Sequence, residues 1–308
     1  MQRRTFLQEM SALGAAAGLP LAARAAGKAY DPKAKFEISV TEVPFRTNGK
    51  GRQLVARIYQ PQASGKNAGP FPALLDLHGG AWTRKDRFAN EPMDRAVAAS
   101  GVLVVAIDMT LAGEAPYPAS VQDASYGVRW LKAKAPEWHG DASSVGLLGS
   151  SSGGHIAELI ALRPRHPLYN QIPFPGDDTV AYVATRSPIS NPFTRWQQAE
   201  RMKNQNLIGA SKTYFHPWEE IHAANPYEIL QRREPAVLRP LLIMQGELDD
   251  NVLPAEQKKF ADAYRAAGGD VQFEIFPKSV HEWTAEPGPQ TTRAHEMVKA
   301  FIARHLNG

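Results

Sequence analysis

Cysteine is absent from this 308-residue chain. That excludes disulfide staples, a thiolate nucleophile and any Cys-ligated metal, so reactive chemistry has to come from hydroxyl, imidazole, carboxylate or amine groups. An apolar run able to cross a hydrocarbon layer of ~30 Å is also missing, because the N-terminal stretch is interrupted by Glu9 and diluted with Gly and Ala. Basic clusters are few. The net charge is +4, and Arg3, Arg4 and Arg24 against Glu9 supply half of it. The rest forms no Lys/Arg stripe, so neither nucleic acid nor an anionic membrane surface is implied as a partner. What remains is ordinary globular composition, 43% hydrophobic and 21% charged, enough for one large α/β core.

The first 26 residues, "MQRRTFLQEMSALGAAAGLPLAARAA", set paired arginines before Phe6-Leu7 and a weakly apolar stretch ending in small residues. This resembles a twin-arginine export signal with a cleavage-type Ala23-Arg24-Ala25 triplet. It implies a periplasmic or secreted protein with no stable membrane anchor after cleavage. Residues 27–308 are then the folded domain.

From Tyr30 onward strands and helices alternate. "FEISVTEVPF" and "RQLVARIYQP" interleave apolar and polar residues, as half-buried antiparallel strands do, with an Asn-Gly turn between them. "PALLDLH", "GVLVVAIDM", "SSVGLLGS", "PLLIMQGE" and "VQFEIFP" are continuous or nearly continuous apolar runs, suited to strands covered on both faces of a parallel sheet. Helical periodicity separates them in "ANEPMDRAVAAS", "PASVQDASYGVRWLKAKAP", "SGGHIAELIALR" and "PAEQKKFADAYRAAG", and closes the chain in "PQTTRAHEMVKAFIARHL". The expected fold is α/β, a doubly wound, mostly parallel sheet with helices on both faces. Residues 190–239 break the rhythm with a polar, aromatic-rich helical stretch, expected to form a cap over the strand ends.

"GLLGSSSGGH" fits G-x-S-x-G with Ser151 at the centre, between a buried strand and a helix. A nucleophile on so sharp a turn needs neighbours without side chains, which Gly149 and Gly153 provide. Ser150 and Ser152 lie out of phase with those glycines. A serine hydroxyl needs a base to take its proton. Of nine histidines, His281 hangs on a polar loop after the last strand, where an imidazole can reach back over the sheet. His295 and His305 lie in the final helix, His155 in the helix after Ser151, His139 before the Ser151 strand, and His166, His216 and His222 in the cap or its approaches. The imidazole needs a carboxylate to fix its tautomer. "QGELDDNVLP" offers Asp249, on the first loop past its strand, with Asp250 as the alternative. The order Ser151, Asp249, His281 is the one this architecture requires. For the oxyanion, "LDLHGGAW" follows a buried strand with two glycines, and backbone N–H groups of Gly80 or Ala81 with that of Ser152 are the candidate donors. His78 is expected to bond loop backbone. No metal or organic cofactor is called for.

Taken together, "HGGAW", "GSSSG", "GELDDNV" and "SVHEW" resemble the α/β-hydrolase superfamily, in particular its esterase/lipase group with an HGG-type oxyanion loop. They are also similar to kynurenine formamidases and to the acid loop of prolyl-oligopeptidase-type peptidases. The resemblance covers about residues 36–308 and implies an eight-stranded sheet with Ser151, His281 and Asp249 as the triad. The implied activity is acyl transfer, cleaving small or medium, possibly aromatic, carboxylic esters as small-molecule partners. Trp82, Phe193, Trp196, Tyr214, Phe215 and Trp218 are candidates for a substrate pocket, against the plainer reading that they pack the cap onto the sheet. The competing functions are an amidase, formamidase or small peptidase, and a catalytically inactive binding module.

Overall fold

The computed structural model describes residues 29–63, 65 and 69–307. Residues 1–26, expected to be an export signal, lie outside them. Eight strands form one sheet: β1 (Glu37–Thr47), β2 (Gln53–Gln62), β3 (Phe71–Leu77), β4 (Leu103–Ile107), β5 (Gly140–Ser150), β6 (Val183–Arg186), β7 (Leu241–Gly246) and β8 (Val271–Phe276). Their order is β1-β2-β4-β3-β5-β6-β7-β8. β2 runs antiparallel to both its neighbours, and β3 to β8 are mutually parallel. The helices are α1 (Glu91–Ala98), α2 (Ala119–Lys134), α3 (Ser152–Leu162), α4 (Pro192–Arg201), α5 (Gln205–Tyr214), α6 (Glu220–Ala223), α7 (Pro226–Gln231), α8 (Pro254–Ala266) and α9 (Pro289–Asn307).

The continuous apolar runs have the physical cause the sequence suggested. Neighbouring residues of a central strand face opposite layers, and both layers are dry. Leu75, Val105, Leu147 and Ile243 pack under α2, α3 and α8 with Val128, Ile156, Leu159 and Phe260. Their neighbours Leu74, Val104, Leu148 and Leu242 pack under α1 and α9 with Val97, Val298, Phe301 and Ile302. β1 and β2, at the sheet edge, keep the alternation of a half-exposed pair.

Seven of the eight strands are visible as sequence patterns. The eighth, β6, is four residues long and ends in the charged Arg186, too short and too polar at its tip to register as a buried run. Between β6 and β7 lie α4 to α7, in the stretch expected to form a cap. Among the described residues, no helix is long and apolar enough to cross a membrane.

The strand order reverses between β3 and β5, and in an open α/β sheet the crevice at such a reversal is where ligands bind. The register pairs Leu77 with Gly149. It therefore sets the loop after β3 directly beside the turn after β5. Close approach at this seam depends on glycine: a Cβ on Gly153 would stand 2.0 Å from the Leu77 carbonyl oxygen, and one on Gly149 would stand 2.6 Å from that of Gly153. Both contacts are with backbone, so no side chain fits at either position.

Candidate active site

Ser151 joins β5 to α3 with φ 53° and ψ −116°, a conformation costing about 1–3 kcal/mol that surrounding structure must enforce. Three backbone bonds hold it. Its N–H donates to the Arg186 carbonyl at 2.9 Å, and its carbonyl accepts from Ile189 and His155, each at 3.1 Å. The end of β6 is therefore the clamp that keeps the turn sharp. Its neighbours are committed elsewhere. Ser150 Oγ donates to Asn90 Oδ1 at 2.9 Å, and Ser152 Oγ accepts from the Trp82 amide at 3.1 Å.

The Ser151 hydroxyl lies 2.9 Å from His281 Nε2, and His281 Nδ1 lies 2.8 Å from Asp249 Oδ2. With Nδ1–H donating its hydrogen bond to the ionised carboxylate, Nε2 is left as acceptor for the hydroxyl. Asp249 is 2% exposed and has its acceptors filled: Oδ1 takes the amides of Asn251 and Val252 at 3.1 and 2.8 Å, and Oδ2 also takes Gln245 Nε2 at 3.1 Å. Burial pushes this carboxyl up, but the His281 bond and charge with the Val252 amide outweigh it and hold it below the usual aspartate range. Asp250 is exposed and offers only its carbonyl, to Gln198. His281 is pulled below the ordinary imidazole value, first by burial; the Asp249 bond opposes this, and the Arg186 and Arg195 charges add to it. Arg186 also donates to the His281 carbonyl, fixing the loop that carries the imidazole.

Across from the hydroxyl runs the 78–82 turn. Gly80, Ala81 and Trp82 have φ of 108°, 53° and 62°, a left-handed run that aims successive amides inward as an anion-binding concavity. A Cβ on Gly79 would come within 3.3 Å of the Ser151 Cβ, and one on Gly80 within 2.0 Å of the Arg84 carbonyl oxygen. The turn thus passes in contact with Ser151. The amides of Gly80, Ala81 and Ser152 donate to no acceptor among the described residues. His78 Nδ1 bonds the Gly79 carbonyl oxygen at 2.8 Å, the backbone role expected of it.

The aromatic candidates divide. Trp82, Tyr214 and Phe215 are 3%, 0% and 1% exposed. Trp82 stacks on Tyr214 at 4.7 Å and donates its indole N–H to His155 Nδ1 at 3.2 Å. His155 Nε2 in turn bonds the Ala224 carbonyl at 2.7 Å, and burial draws this imidazole down to about 4, so it stays neutral. Expected as pocket walls, these three aromatics instead pack the cap onto the sheet, because their faces are already covered. Phe193, Trp196 and Trp218 are partly buried and contact one another, with ring centroids 5.7 and 5.0 Å apart.

Sequence reading missed a polar layer beneath the turn. Asn90 Nδ2 donates to Asp76 Oδ1 at 2.8 Å, while Asp76 Oδ2 and both Asp94 oxygens are buried without partners among the described residues. Burial raises Asp76 to about 7 and Asp94 well above the usual range, the two charges repelling. The signal was present: Asp76 is the one charged residue inside "PALLDLH".

Residues 57–264 match the BD-FAE family model. Carboxylesterase NlhH of Mycobacterium tuberculosis is 27% identical over 236 residues, 74% of this chain and 70% of that protein. The probable carboxylic ester hydrolase LipM of the same species is 32% identical over 76% of this chain, which spans only 54% of LipM. Among solved structures, esterase B of Lactobacillus rhamnosis superposes with a TM-score of 0.72 at 20% identity, covering 89% of each chain. A Thermogutta terrifontis esterase does so with 0.66 at 21%, covering 88% of this chain and 94% of that one.

Proposed function

The chain belongs to the BD-FAE family and has the α/β-hydrolase fold, and from that premise we propose that it is a serine hydrolase of carboxylic esters worked by Ser151, His281 and Asp249. The observation that carries this reading is the unbroken relay from hydroxyl to imidazole to carboxylate, 2.9 and 2.8 Å. The ester hydrolase names of NlhH and LipM support it.

His281 Nε2 takes the Ser151 proton as Oγ bonds to the acyl carbon. The carbonyl oxygen gains negative charge and is received by the Gly80, Ala81 and Ser152 amides, worth about 10²–10³ in rate for each donor. The tetrahedral centre collapses, the C–O bond to the alcohol breaks, and His281 hands its proton to the leaving oxygen. Water then repeats the sequence on the acyl-enzyme: His281 takes its proton, the acid leaves, and Ser151 regains hydrogen. Asp249 holds the imidazole and balances the imidazolium throughout.

Short-chain p-nitrophenyl esters are expected to turn over far faster than the matching p-nitroanilides; the reverse order would make the chain an amidase. Activity is lost as pH falls through the His281 value, because a protonated imidazole cannot accept the serine proton. With that value drawn below ~6.5, the acid limb of kcat/KM is expected to have its midpoint on the acid side of 6.5. A midpoint well above it would contradict the burial of this imidazole.

The proposed working place is outside the cytoplasm, on the strength of Arg3-Arg4 and the small-residue stretch that follows. Replacing both arginines with lysine is expected to shift the protein from the periplasmic to the cytoplasmic fraction of an expressing bacterium. Unchanged fractionation would remove the export assignment.

A further inference from the structure

One turn into α4, a guanidinium is buried among neutral groups. Arg195 is 3% exposed; its Nε donates to Asn251 Oδ1 at 2.9 Å and its Nη1 to Ser211 Oγ at 3.3 Å. Its Nη2 is buried with no acceptor among the described residues. Two other arginines on this side of the molecule are paired, Arg163 with Glu234 and Arg232 with Glu228 and Glu234. Arg195 has no such ion pair among the described residues. Burying a cation without a paired counterion is unfavourable unless something compensates, and burial draws this guanidinium down to about 10.

Its position is specific. Ala199 lies on the same face of α4 one turn later. With Leu207, Ile208 and Ala210 of α5 it packs against Ala81 of the oxyanion turn. Arg195 Cζ stands 5.6 Å from the centre of the Trp82 ring. Asn251, which holds Nε, gives its own amide to Asp249. The guanidinium is therefore lodged between the oxyanion turn and the acid loop, within electrostatic reach of His281. The Asp249 charge attracts it from a distance but makes no direct bond to it among the described residues, His281, Gln245 and two amides occupying that carboxylate. A second cation, Arg84, is exposed two residues past the oxyanion turn and close enough to repel Arg195.

We propose that Arg195, with Arg84 at the rim, is a subsite for a carboxylate on the substrate, so that the preferred class is esters bearing a second, free carboxylate near the scissile carbonyl. This rests on the ester-hydrolase reading of Ser151. A planar guanidinium matches a carboxylate in geometry and charge. A buried donor left unfilled makes the site reject a substrate that lacks the group.

The test compares kcat/KM within two ester pairs: monomethyl glutarate against dimethyl glutarate, and 3-acetoxypropanoate against its methyl ester. The first pair carries the charge on the acyl side and the second on the alcohol side. Wild type is expected to favour the charged member of at least one pair by about tenfold or more. Arg195→Met is expected to erase that ratio, with Arg195→Lys falling between. No charged preference in either pair, or a ratio unmoved in Arg195→Met, overturns the proposal. Should Arg195→Met not fold, inhibition of wild-type p-nitrophenyl acetate hydrolysis decides. Glutarate is expected to inhibit about tenfold more strongly than butyrate at equal ionic strength, and equal inhibition overturns the proposal. Wild type inert on every neutral ester would refute the hydrolase reading itself, a different result from neutral esters cleaved without charge preference.

Discussion

Ser151→Ala is expected to lower kcat on an ester by about 10⁵-fold or more, leaving the small residue of catalysis that binding and the oxyanion amides give without a nucleophile. The expectation follows from how the three serines are used. Only Ser151 Oγ meets His281; Ser150 Oγ is turned toward Asn90 and Ser152 Oγ toward the Trp82 amide. A fluorophosphonate probe is accordingly expected to label wild type and Ser150→Ala but not Ser151→Ala. Retention of more than about one per cent of activity in Ser151→Ala, or labelling at Ser150, would move the nucleophile and remove the relay from the mechanism.

Asp249→Asn is expected to cost about 10⁴-fold in kcat with the fold intact. The reason lies in what each carboxylate oxygen accepts. Oδ1 faces two backbone amides and Oδ2 faces His281 Nδ1 and Gln245 Nε2. An asparagine can keep its oxygen on only one side. The amides of Asn251 and Val252 are fixed by the chain, so the oxygen stays with them and the NH₂ turns toward His281. That imidazole must then accept at Nδ1 and carry its proton on Nε2, where it can no longer take one from Ser151. Circular dichroism would confirm the fold, and ester kinetics the loss. A decrease below about tenfold would mean that the carboxylate does not set the tautomer.

Most of what the sequence foretold rests on short-range physics. Buried strands announce themselves as unbroken apolar runs. The Gly149-to-Gly153 spacing is dictated by backbone contacts that allow no Cβ. Asp249 and His281 follow from their places just past strand ends. What stayed hidden depends on long-range placement. β6 is brief, yet Arg186 at its tip meets both Ser151 and His281 through its backbone and side chain. Nothing local marks Trp82 as a packing residue; its fate is decided by Tyr214 and His155, residues distant in sequence that fold around it. Arg195 reads in sequence as one more polar residue of a helical stretch, and only the packing of Ala199 and Leu207 on Ala81 shows which way its helix faces.

The polar layer under the oxyanion turn makes the fold lose stability as pH rises from ~4 toward 7. Unfolded aspartates are ionised above ~pH 4, whereas the native Asp76 keeps its proton until about 7 and burial holds Asp94 well above the usual aspartate range. Folding therefore takes up protons across that window, and each such carboxyl removes about 1.4 kcal/mol of stability per pH unit as alkalinity rises through it. His78 and His155, buried neutral, act in the opposite sense and weaken the fold in acid. The loss attached to Asp76 is complete once pH passes about 7. The imidazole must shed its proton within the same interval in which the hidden acid gives up stability, so reactivity is gained as the scaffold weakens.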